Sequence, residues 1–281
     1  MYKLGILGYP LGHSLSPFMH SSALNHLGLE GSYEKIEYPP NELENAVKFI
    51  KDSGFCGVNV TIPFKVDIMK YVDTIDTTAQ AVGAVNTLKI NTDGKITGYN
   101  TDIYGFLNAF GNLLPPDLQD KTAAIIGNGG AARAILFALV TAGFKKINIY
   151  ARNTEKSTEL ANIALEFVGD IKIESLNLDE NINLEEIYLL VNTTPIGMYG
   201  KAEGASPVSL SSLQTMKKDG MIYDIVYKPQ ITKLLEYSQS CGLKTIQGLE
   251  MLVLQGAKSF EIWTTQEAPV NVMRQSALEN L

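Results

Sequence analysis

The stretch TAAIIGNGGAARAILFALVTA, residues 122–142, decides the fold. Residues 122–126 predict a buried strand, and residues 131–142 form an apolar pattern typical of a helix. The glycines between them give the strand–turn–helix context that a dinucleotide-binding fingerprint requires. Gly127 permits the tight turn, Gly129 lets the backbone approach a diphosphate at the helix N-terminus, and Ala132 allows close helix packing. The alternative is a Gly-rich turn that binds no ligand.

The rest of the chain alternates between strand and helix patterns, which predicts an α/β fold with mainly parallel sheets. The predicted strands are residues 4–8, 58–62, 87–90, 95–99, 122–126, 147–150, 189–192 and 221–224, with a hairpin turn at Asp93-Gly94. The predicted helices are residues 17–27, 42–52, 104–114, 131–142 and 249–263, and residues 200–212 are predicted to form a mobile loop. Ser16 is predicted to cap the first helix, with Pro17 at its first position.

Composition limits the classes of function. The chain has 281 residues, a formal net charge of -7 and a sequence pI of about 5.1. This acidic balance argues against nucleic acid or an anionic membrane surface as a partner. Cys56 and Cys241 form neither a disulfide framework nor a metal-spaced cluster, which favours a reducing compartment. The sequence lacks a secretory signal and any apolar run near the ~18 residues of a membrane span, so a soluble, cytoplasmic protein is expected.

The segment NVTIPFK, residues 59–65, predicts a short buried strand that ends near Ile62, because the residue before a proline favours extended backbone. A helix is predicted to begin at Pro63 or Phe64. Lys65 would then lie in the first helical turn, where the helix dipole disfavours a cation. A lysine at an unfavourable position is a candidate for chemistry. The alternative is a surface lysine that happens to begin a helix.

The residues after the next predicted strand, ARNTEK at 151–156, indicate which dinucleotide binds. A carboxylate at the strand end would bind the ribose 2'-hydroxyl of NAD, but the first acid here is Glu155. Arg152 can instead pair with a 2'-phosphate through two parallel hydrogen bonds, and Lys156 adds positive charge. NADP is therefore the predicted cofactor.

Seven short motifs occur in the order and approximate spacing found in the shikimate dehydrogenases. They are SLSP (14–17), GAVNT (83–87), GYNTD (98–102), GNGGA (127–131), NTTPIGM (192–198), DIVY (224–227) and GLEML (248–252). Over almost its whole length the chain resembles that family. The resemblance implies a two-domain α/β fold, with a substrate domain containing a mainly parallel sheet at residues 1–103 and 248–281, and a Rossmann-type NADP-binding domain at residues 104–247. It also implies NADPH-dependent reduction of 3-dehydroshikimate to shikimate in aromatic amino-acid biosynthesis.

The same resemblance implies roles for individual side chains. Ser14 and Ser16 would bind the substrate carboxylate, and the remaining substrate contacts would come from Thr61, Asn86, Tyr227 and Gln255. The cofactor would contact Gly127, Asn128, Gly129, Gly130, Ala131, Arg152, Asn153, Lys156, Thr193, Met198, Ile225, Gly248 and Met251. The family usually has Asn-Arg-Thr around the arginine, so Ala151 and Asn153 alter two polar contacts here and weaker selectivity for NADP is expected.

Reduction of a ketone needs a hydride donor and a group that gives a proton to the carbonyl oxygen. No Tyr is followed four residues later by Lys, so the short-chain dehydrogenase pair is absent. The histidines cluster on one segment, remote from both cysteines, and give little support to a catalytic zinc site. Lys65 and Asp102 remain as the acid–base pair, with Asp102 orienting the lysine. The alternative is that Asp102 only caps a helix that starts at Ile103. The division of proton transfer between Lys65 and Asp102 stays open.

Two other functions also stay open. One is a quinate/shikimate dehydrogenase, whose substrate carries an extra ring hydroxyl, although Arg152 argues against the NAD preference common in that group. The other is a non-catalytic sensor of the metabolite, against which Lys65 and Asp102 argue. The expected partners are the small-molecule substrate and the cofactor, bound by a monomer or a homodimer, with no nucleic acid and no membrane.

Overall fold

The computed structural model describes all 281 residues, apart from the side chain of Val168. Its contacts divide the chain into two compact units. We call them unit 1, formed by Met1–Gly105 with Val253–Leu281, and unit 2, formed by Phe106–Leu252. Unit 1 is therefore discontinuous in sequence. Which unit binds substrate and which binds cofactor stays a prediction.

Strands and helices alternate along both units. The strands are β1 Tyr2–Gly8, β2 Gly31–Glu37, β3 Gly57–Val60, β4 Thr74–Ile75, β5 Thr87–Ile90, β6 Ile96–Tyr99, β7 Thr122–Ile126, β8 Lys146–Ala151, β9 Lys172–Asn177, β10 Ile187–Asn192, β11 Met221–Asp224 and β12 Lys244–Gln247. The helices are α1 Ser16–His26, α2 Leu43–Asp52, α3 Thr77–Val82, α4 Asp102–Asn108, α5 Gly130–Ala142, α6 Thr154–Val168, α7 Leu210–Gln214, α8 Lys233–Ser240, α9 Gly248–Thr264 and α10 Val270–Glu279, with short 3-10 helices at Pro40–Glu42 and Asp67–Tyr71.

The sheet of unit 1 has the strand order β2-β1-β3-β5-β6-β4. β1 runs parallel to β2 and β3, and β4 runs parallel to β6, whereas β5 is antiparallel to both β3 and β6. The predicted hairpin between β5 and β6 is confirmed, with Gly94 at φ +80° in its turn. The carboxyl ends of β1, β3 and β6 and the amino end of β5 therefore share one edge of the sheet. The polar motifs of the first hundred residues lie at these strand ends.

The sheet of unit 2 is parallel throughout, in the order β12-β11-β10-β7-β8-β9. The central strands β7, β10 and β11 are almost entirely buried, as expected of strands covered on both faces by helices. Strand order reverses between β7 and β10, and ligands of open parallel sheets bind beyond the carboxyl ends of the strands at such a point. The Gly-rich loop follows β7 at this position.

Apolar helix faces close the core of each unit. In unit 1, α2 buries Leu43, Ala46, Val47 and Ile50, which recur at helical spacing and pack into the same cluster as Val58 of β3. In unit 2, a second cluster joins the strands to α7 and α8. Each large apolar side chain buried in these clusters contributes roughly 1.5–3 kcal/mol. None of the described helices combines enough length with enough apolar character to traverse a lipid bilayer.

The helix predicted to begin at Pro63 or Phe64 is wrong, and so is the helix-dipole argument for Lys65. β3 already ends at Val60, and the amide of Phe64 donates to the carbonyl of Thr61 at 3.0 Å to form a turn. The carbonyl of Lys65 accepts from the amide of Val85 at 2.8 Å. This bond to a residue distant in sequence takes the acceptor that an α-helix would need, so only the 3-10 helix at Asp67–Tyr71 follows.

Other predicted helix boundaries also differ. Ser16 does not cap α1, because the helix already begins at Ser16, and the hydroxyl of Ser14 accepts from its amide at 3.4 Å. The helix predicted at residues 104–114 is the shorter α4, which gives way to turns that end at Gly111 with φ +54°. The loop predicted at residues 200–212 ends where Ser209 caps α7. The strands and α-helices that the pattern missed are β2, β4, β9, β12, α3, α6, α7, α8 and α10.

Candidate active site

Lys65 and Asp102 form a buried ion pair in unit 1. The Nζ atom of Lys65 lies 2.6 Å from Oδ2 of Asp102, and their side chains are 16% and 6% exposed. Lys65 belongs to the turn that follows β3, and Asp102 opens α4 just after β6, so the sheet edge described above brings them together. An ammonium group that is held by a carboxylate and keeps some access to solvent can exchange a proton with a bound oxygen.

Asn100 supports the start of α4 and leaves the carboxylate of Asp102 available. The amide of Asp102 donates to Oδ1 of Asn100 at 3.0 Å, and Nδ2 of Asn100 donates to the carbonyl of Ala84 at 2.9 Å. Asn100 thus supplies a side-chain acceptor at the helix start, which is the role that the alternative gave to Asp102. Sequence reasoning did not select Asn100, although it stands in the GYNTD motif two residues before the aspartate.

The carboxamide of Asn86 connects this pair to Gln255. Its Oδ1 accepts from the amide of Thr101 at 2.8 Å, and because a backbone amide can only donate, this bond identifies the oxygen end of the group. The Nδ2 atom then donates to Oδ1 of Asp102 at 2.9 Å and to Oγ1 of Thr101 at 3.0 Å, and it lies 3.4 Å from Oε1 of Gln255. Lys65, Asp102, Asn86 and Gln255 therefore form one hydrogen-bonded group, and their roles in a shared site stay a prediction.

The three predicted substrate-binding hydroxyls lie along the same sheet edge. Thr61 follows β3, and its amide donates to the carbonyl of Leu7 on β1 at 2.9 Å. Ser14 and Ser16 lie at the start of α1, which follows β1, and a helix N-terminus suits an anionic group. Ser16 is only 4% exposed. It hydrogen-bonds the phenol of Tyr33, whose pKa is raised far above its ordinary value because the group is buried.

The Gly-rich loop of unit 2 has the geometry that a dinucleotide diphosphate needs. Gly127 has φ +108°, and a Cβ there would lie 2.6 Å from Oγ1 of Thr193, so only glycine fits. Gly129 precedes α5, and a Cβ built on it would meet no described atom within 4 Å. The space over the first turn of α5, where Gly130 and Ala131 begin the helix, is therefore open. Backbone N–H groups at a helix N-terminus beside open space form a cradle for phosphate oxygens.

Arg152 and Lys156 are exposed directly after β8, where the adenosine ribose is predicted to lie. Asn153 caps α6, because its Oδ1 accepts from the amide of Lys156 at 3.0 Å. The Nδ2 atom of Asn128 donates to the carbonyl of Asn153 at 2.8 Å and lies 3.1 Å from Oγ of Ser157. Asn128 and Asn153 therefore tie the Gly-rich loop to the segment that carries the two cations, and two cations at this strand end suit a phosphate.

Asp224 is a buried carboxylate that was not among the predicted site residues. It ends β11, and its Oδ1 accepts from Nδ2 of Asn192 at 3.0 Å and from the amide of Val226 at 3.1 Å, while Oδ2 accepts from Thr232 at 2.6 Å. Burial raises the pKa of Asp224 to about 6, and these hydrogen bonds offset only part of that effect. The carboxylate joins the loop after β10 to the loop after β11. The signal in the sequence was an aspartate at a predicted strand end.

These two loops carry four of the predicted contact residues. The hydroxyl of Thr193 donates to the carbonyl of Ile126 at the end of β7 at 2.6 Å, which holds the loop after β10 beside the Gly-rich loop. Met198 is half-buried in the same loop, and Ile225 and Tyr227 are half-buried in the loop after β11. Burial raises the pKa of the Tyr227 phenol.

Gly248 and Met251 lie in the first turn of α9. A Cβ at Gly248 would overlap the carbonyl of Ile225, so the backbone passes too close for any side chain. Met251, three residues later in the same turn, is buried. Gly248 therefore has a clear packing role, and the proposed contact of both residues with the cofactor stays a prediction. In the part of the chain that the structure describes, no group of three or more His, Cys, Asp or Glu side chains is arranged to hold a metal ion.

Three family models match the chain. The shikimate dehydrogenase substrate binding domain matches residues 6–88, the shikimate / quinate 5-dehydrogenase family matches residues 111–194, and the shikimate 5'-dehydrogenase C-terminal domain matches residues 248–278. The curated shikimate dehydrogenase (NADP(+)) of Methanopyrus kandleri is 42% identical, over 99% of this chain and 95% of its own length. This chain belongs to the shikimate dehydrogenase family.

Solved structures of shikimate dehydrogenases share the fold. A crystal structure of a shikimate dehydrogenase in complex with NADP+ has a TM-score of 0.90 at 37% identity, covering 99% of this chain and 95% of its own. The shikimate 5-dehydrogenase of Thermus thermophilus, in complex with NADP(H) and shikimate, has a TM-score of 0.85 at 35% identity and covers 100% of both chains. The family and the α/β fold class predicted from the motifs are confirmed.

Proposed function

We propose that this protein catalyses the reversible, NADPH-dependent reduction of 3-dehydroshikimate to shikimate, a step toward the aromatic amino acids. The observation that carries the proposal is the Lys65–Asp102 pair, held at 2.6 Å and bonded through Asn86 to Gln255. This shikimate dehydrogenase family member retains a complete acid–base group. A sensor that only bound the metabolite would have no need of it.

The pair serves the proton step of the reaction. When shikimate is oxidised, its reacting hydroxyl loses a proton as a hydride leaves the same carbon, and reduction runs the two transfers in reverse. Lys65 accepts or donates that proton at the reacting oxygen. Asp102 orients Lys65 through Oδ2 and is itself held at Oδ1 by Asn86, so both carboxylate oxygens are fixed. Prior fixing of both groups removes orientational freedom that would otherwise be lost at the transition state.

Substrate recognition is assigned to unit 1, as the substrate domain predicted at residues 1–103 and 248–281. Ser14 and Ser16 bind the ring carboxylate at the N-terminus of α1. Thr61, Asn86 and Gln255 hydrogen-bond the ring hydroxyls. Tyr227, which belongs to unit 2, is the remaining residue assigned to the substrate. Asn86 and Gln255 would each serve two purposes, since both already belong to the group that holds Asp102.

NADP binding is assigned to unit 2, as the domain predicted at residues 104–247. NADPH, when bound, supplies the hydride. The loop from Gly127 to Ala131 holds the diphosphate, and Arg152 and Lys156 bind the 2'-phosphate. The other residues assigned to the cofactor are Asn128, Asn153, Thr193, Met198, Ile225, Gly248 and Met251. We place the reaction in the cytoplasm, because the chain keeps Cys56 and Cys241 as free thiols.

The test is the absorbance of reduced nicotinamide during oxidation of shikimate with NADP, with quinate and with NAD run in parallel. Rapid signal with shikimate and NADP alone is the expected result. Comparable signal with quinate would support the second candidate, a shikimate/quinate dehydrogenase. The family that matches residues 111–194 includes quinate dehydrogenases in its name. Measurable binding of shikimate without turnover of any pair would overturn the proposal in favour of a sensor.

A further inference from the structure

Beside Asn86 lies a cluster of buried polar side chains that the proposed function does not use. It consists of Asn59, Thr87, Thr101 and Ser259, which we call the hydroxyl cluster. Their exposed fractions are 5%, 0%, 2% and 0%, so each polar atom must find its partner inside the protein. Thr87 begins β5, Thr101 precedes α4, and Ser259 lies on α9 one turn after Gln255.

Ser259 is the common partner within this cluster. Its Oγ donates to the carbonyl of Gln255 at 3.0 Å and accepts from Nδ2 of Asn59 at 2.9 Å. It also lies 2.8 Å from Oγ1 of Thr87 and 3.2 Å from Oγ1 of Thr101. Because the serine proton is used on Gln255, the hydroxyl has one remaining acceptor site, and a threonine must be the donor to it.

Ser259 gives the protons of the cluster their shorter hydrogen bonds. Oδ1 of Asn86 takes one bond from the amide of Thr101 and has one acceptor site left. Thr87 lies 3.0 Å and Thr101 lies 3.2 Å from that oxygen. Two threonine protons therefore meet two acceptor sites, one on Asn86 and one on Ser259. Without the serine hydroxyl, one threonine proton keeps only the longer Thr87–Thr101 contact at 3.4 Å, and Asn59 loses its shortest acceptor and keeps contacts of 3.3 and 3.4 Å.

We propose that Ser259 is a positioning residue for the dehydrogenase reaction. Its hydroxyl accepts a hydrogen bond from one of the two threonines, so that the Asn86 carboxamide keeps the orientation in which Nδ2 donates to Asp102. Asp102 in turn holds Lys65. The same hydroxyl donates to the backbone carbonyl of Gln255 within α9. This inference rests on the proposed function, since it concerns the rate of that reaction.

The first experiment is Ser259→Ala, assayed for shikimate oxidation with NADP. We expect kcat to fall about tenfold, the kinetic equivalent of one buried hydrogen bond, while the KM for NADP stays unchanged. Ser276→Ala is the matched control, because Ser276 is a buried serine of unit 1 whose hydroxyl binds Ser22 at 2.9 Å outside the cluster. This control should keep the kcat of the wild type. An unchanged kcat in Ser259→Ala would overturn the proposal.

A second variant separates positioning from general damage to the fold. Thr87→Val removes the hydroxyl that pairs with both Ser259 and Asn86 and keeps the branched shape of the side chain. If both residues act through Asn86, the double variant Ser259→Ala/Thr87→Val should lose no more kcat than the worse single variant. Additive losses would mean independent structural damage and would overturn the proposal. Should Ser259→Ala not fold, Thr87→Val alone carries the test, with the same expected fall in kcat.

The wild-type assay separates a failure of the proposed function from a failure of the role proposed for Ser259. A wild-type protein that does not oxidise shikimate refutes the proposed function. An active wild-type protein whose Ser259→Ala variant is equally active refutes only the role of Ser259.

Discussion

His20 makes the stability of unit 1 sensitive to pH. Its side chain is fully buried, and neither ring nitrogen reaches a hydrogen-bond partner among the described residues. The ring stacks on Tyr33 with centroids 4.5 Å apart, and the ring of Trp263 lies 5.3 Å away. Burial lowers the pKa of His20 from 6.5 to about 3, and the nearby amide of Asn59 opposes this only in part. The folded protein therefore keeps the ring neutral where the unfolded chain protonates it.

The sign and size of the effect follow from proton linkage. Between the pKa of about 3 in the folded state and 6.5 in the unfolded state, only the unfolded chain binds the proton, so stability rises with pH across this window. The stability that comes from keeping His20 neutral is fully present above pH 6.5, the pKa in the unfolded chain, and is lost as the pH falls below that value. With these two values, His20 costs unit 1 about 2 kcal/mol of unfolding free energy between pH 7 and pH 5, and about 3 kcal/mol by pH 4.

The assay is urea unfolding of wild type and His20→Phe at pH 7, 6 and 5, followed by the fluorescence of Trp263, the single tryptophan of the chain. Phenylalanine keeps a planar ring for the stack and removes the titrating group. Between pH 7 and pH 5 the wild type should lose about 2 kcal/mol more than the variant, a relative shift of about 1 M in the urea midpoint. His26→Gln, at an exposed histidine in the last turn of α1, is the control and should keep the wild-type slope.

Parallel stability curves for the wild type and His20→Phe would refute the reasoning, because His20 would then bind its proton equally in both states. A direct check is the NMR titration of the His20 ring in the folded protein. Its resonances should not move between pH 7 and pH 4, since the pKa of the buried ring lies near 3. A midpoint near 6 would mean that water or a polar group reaches the ring.

Three further predictions concern the two candidate sites. Lys65→Ala should lower kcat for shikimate oxidation by about 10²–10⁴ with little change in shikimate binding, whereas Lys70→Ala, at an exposed lysine of the same segment, should keep the wild-type rate. Arg152→Ala should raise the KM for NADPH much more than the KM for NADH, and equal effects in steady-state kinetics would contradict the 2'-phosphate assignment. Asp224→Asn should remove a pH dependence that follows from the raised pKa of Asp224, about 6 against 3.8: the folded state binds this proton more tightly, so the wild type loses about 2 kcal/mol of stability as pH rises from 4 to 6. Urea unfolding of unit 2 followed by circular dichroism should show this loss in the wild type and not in the variant.

Local sequence patterns predicted the four central strands of unit 2, because these strands carry their own signal. The strands predicted at residues 122–126 and 221–224 match β7 and β11 to the residue. Both are apolar runs bounded by turn residues, as expected where a parallel sheet is covered on both faces. The Gly-rich loop was equally readable, since the positive φ of Gly127 and the open space at Gly129 are local requirements. The substrate is predicted from the family motifs alone, whereas the cofactor is also predicted from Arg152 and Lys156 at the end of a strand.

Lys65 shows that local sequence patterns do not predict hydrogen bonds to residues distant in sequence. The segment pattern predicts a helix at this residue, and the structure has a turn there instead, because the carbonyl of Lys65 accepts from the amide of Val85. A partner twenty positions along the chain leaves no periodic signal in the segment itself. The same limit applies to Asn100 and Asp224, whose side chains organise backbone at strand ends. Residues of this kind were visible as parts of motifs, but their partners are set by the topology of the sheet.

The group that holds Lys65 is completed only by the far end of the chain. Gln255 and Ser259 come from α9, and the same helix bonds the sheet through Nε1 of Trp263, which donates to the carbonyl of Leu88 at 2.8 Å. A Cβ at Gly57 would overlap the ring of Trp263, so β3 and α9 pack closely. Without α9, the buried polar groups of the sheet edge would lose partners at about 1–3 kcal/mol each. The acid–base pair is therefore ordered only when the two segments of unit 1, which are separated in sequence by the whole of unit 2, pack together. Helical periodicity alone could not have indicated that this helix packs on the first sheet.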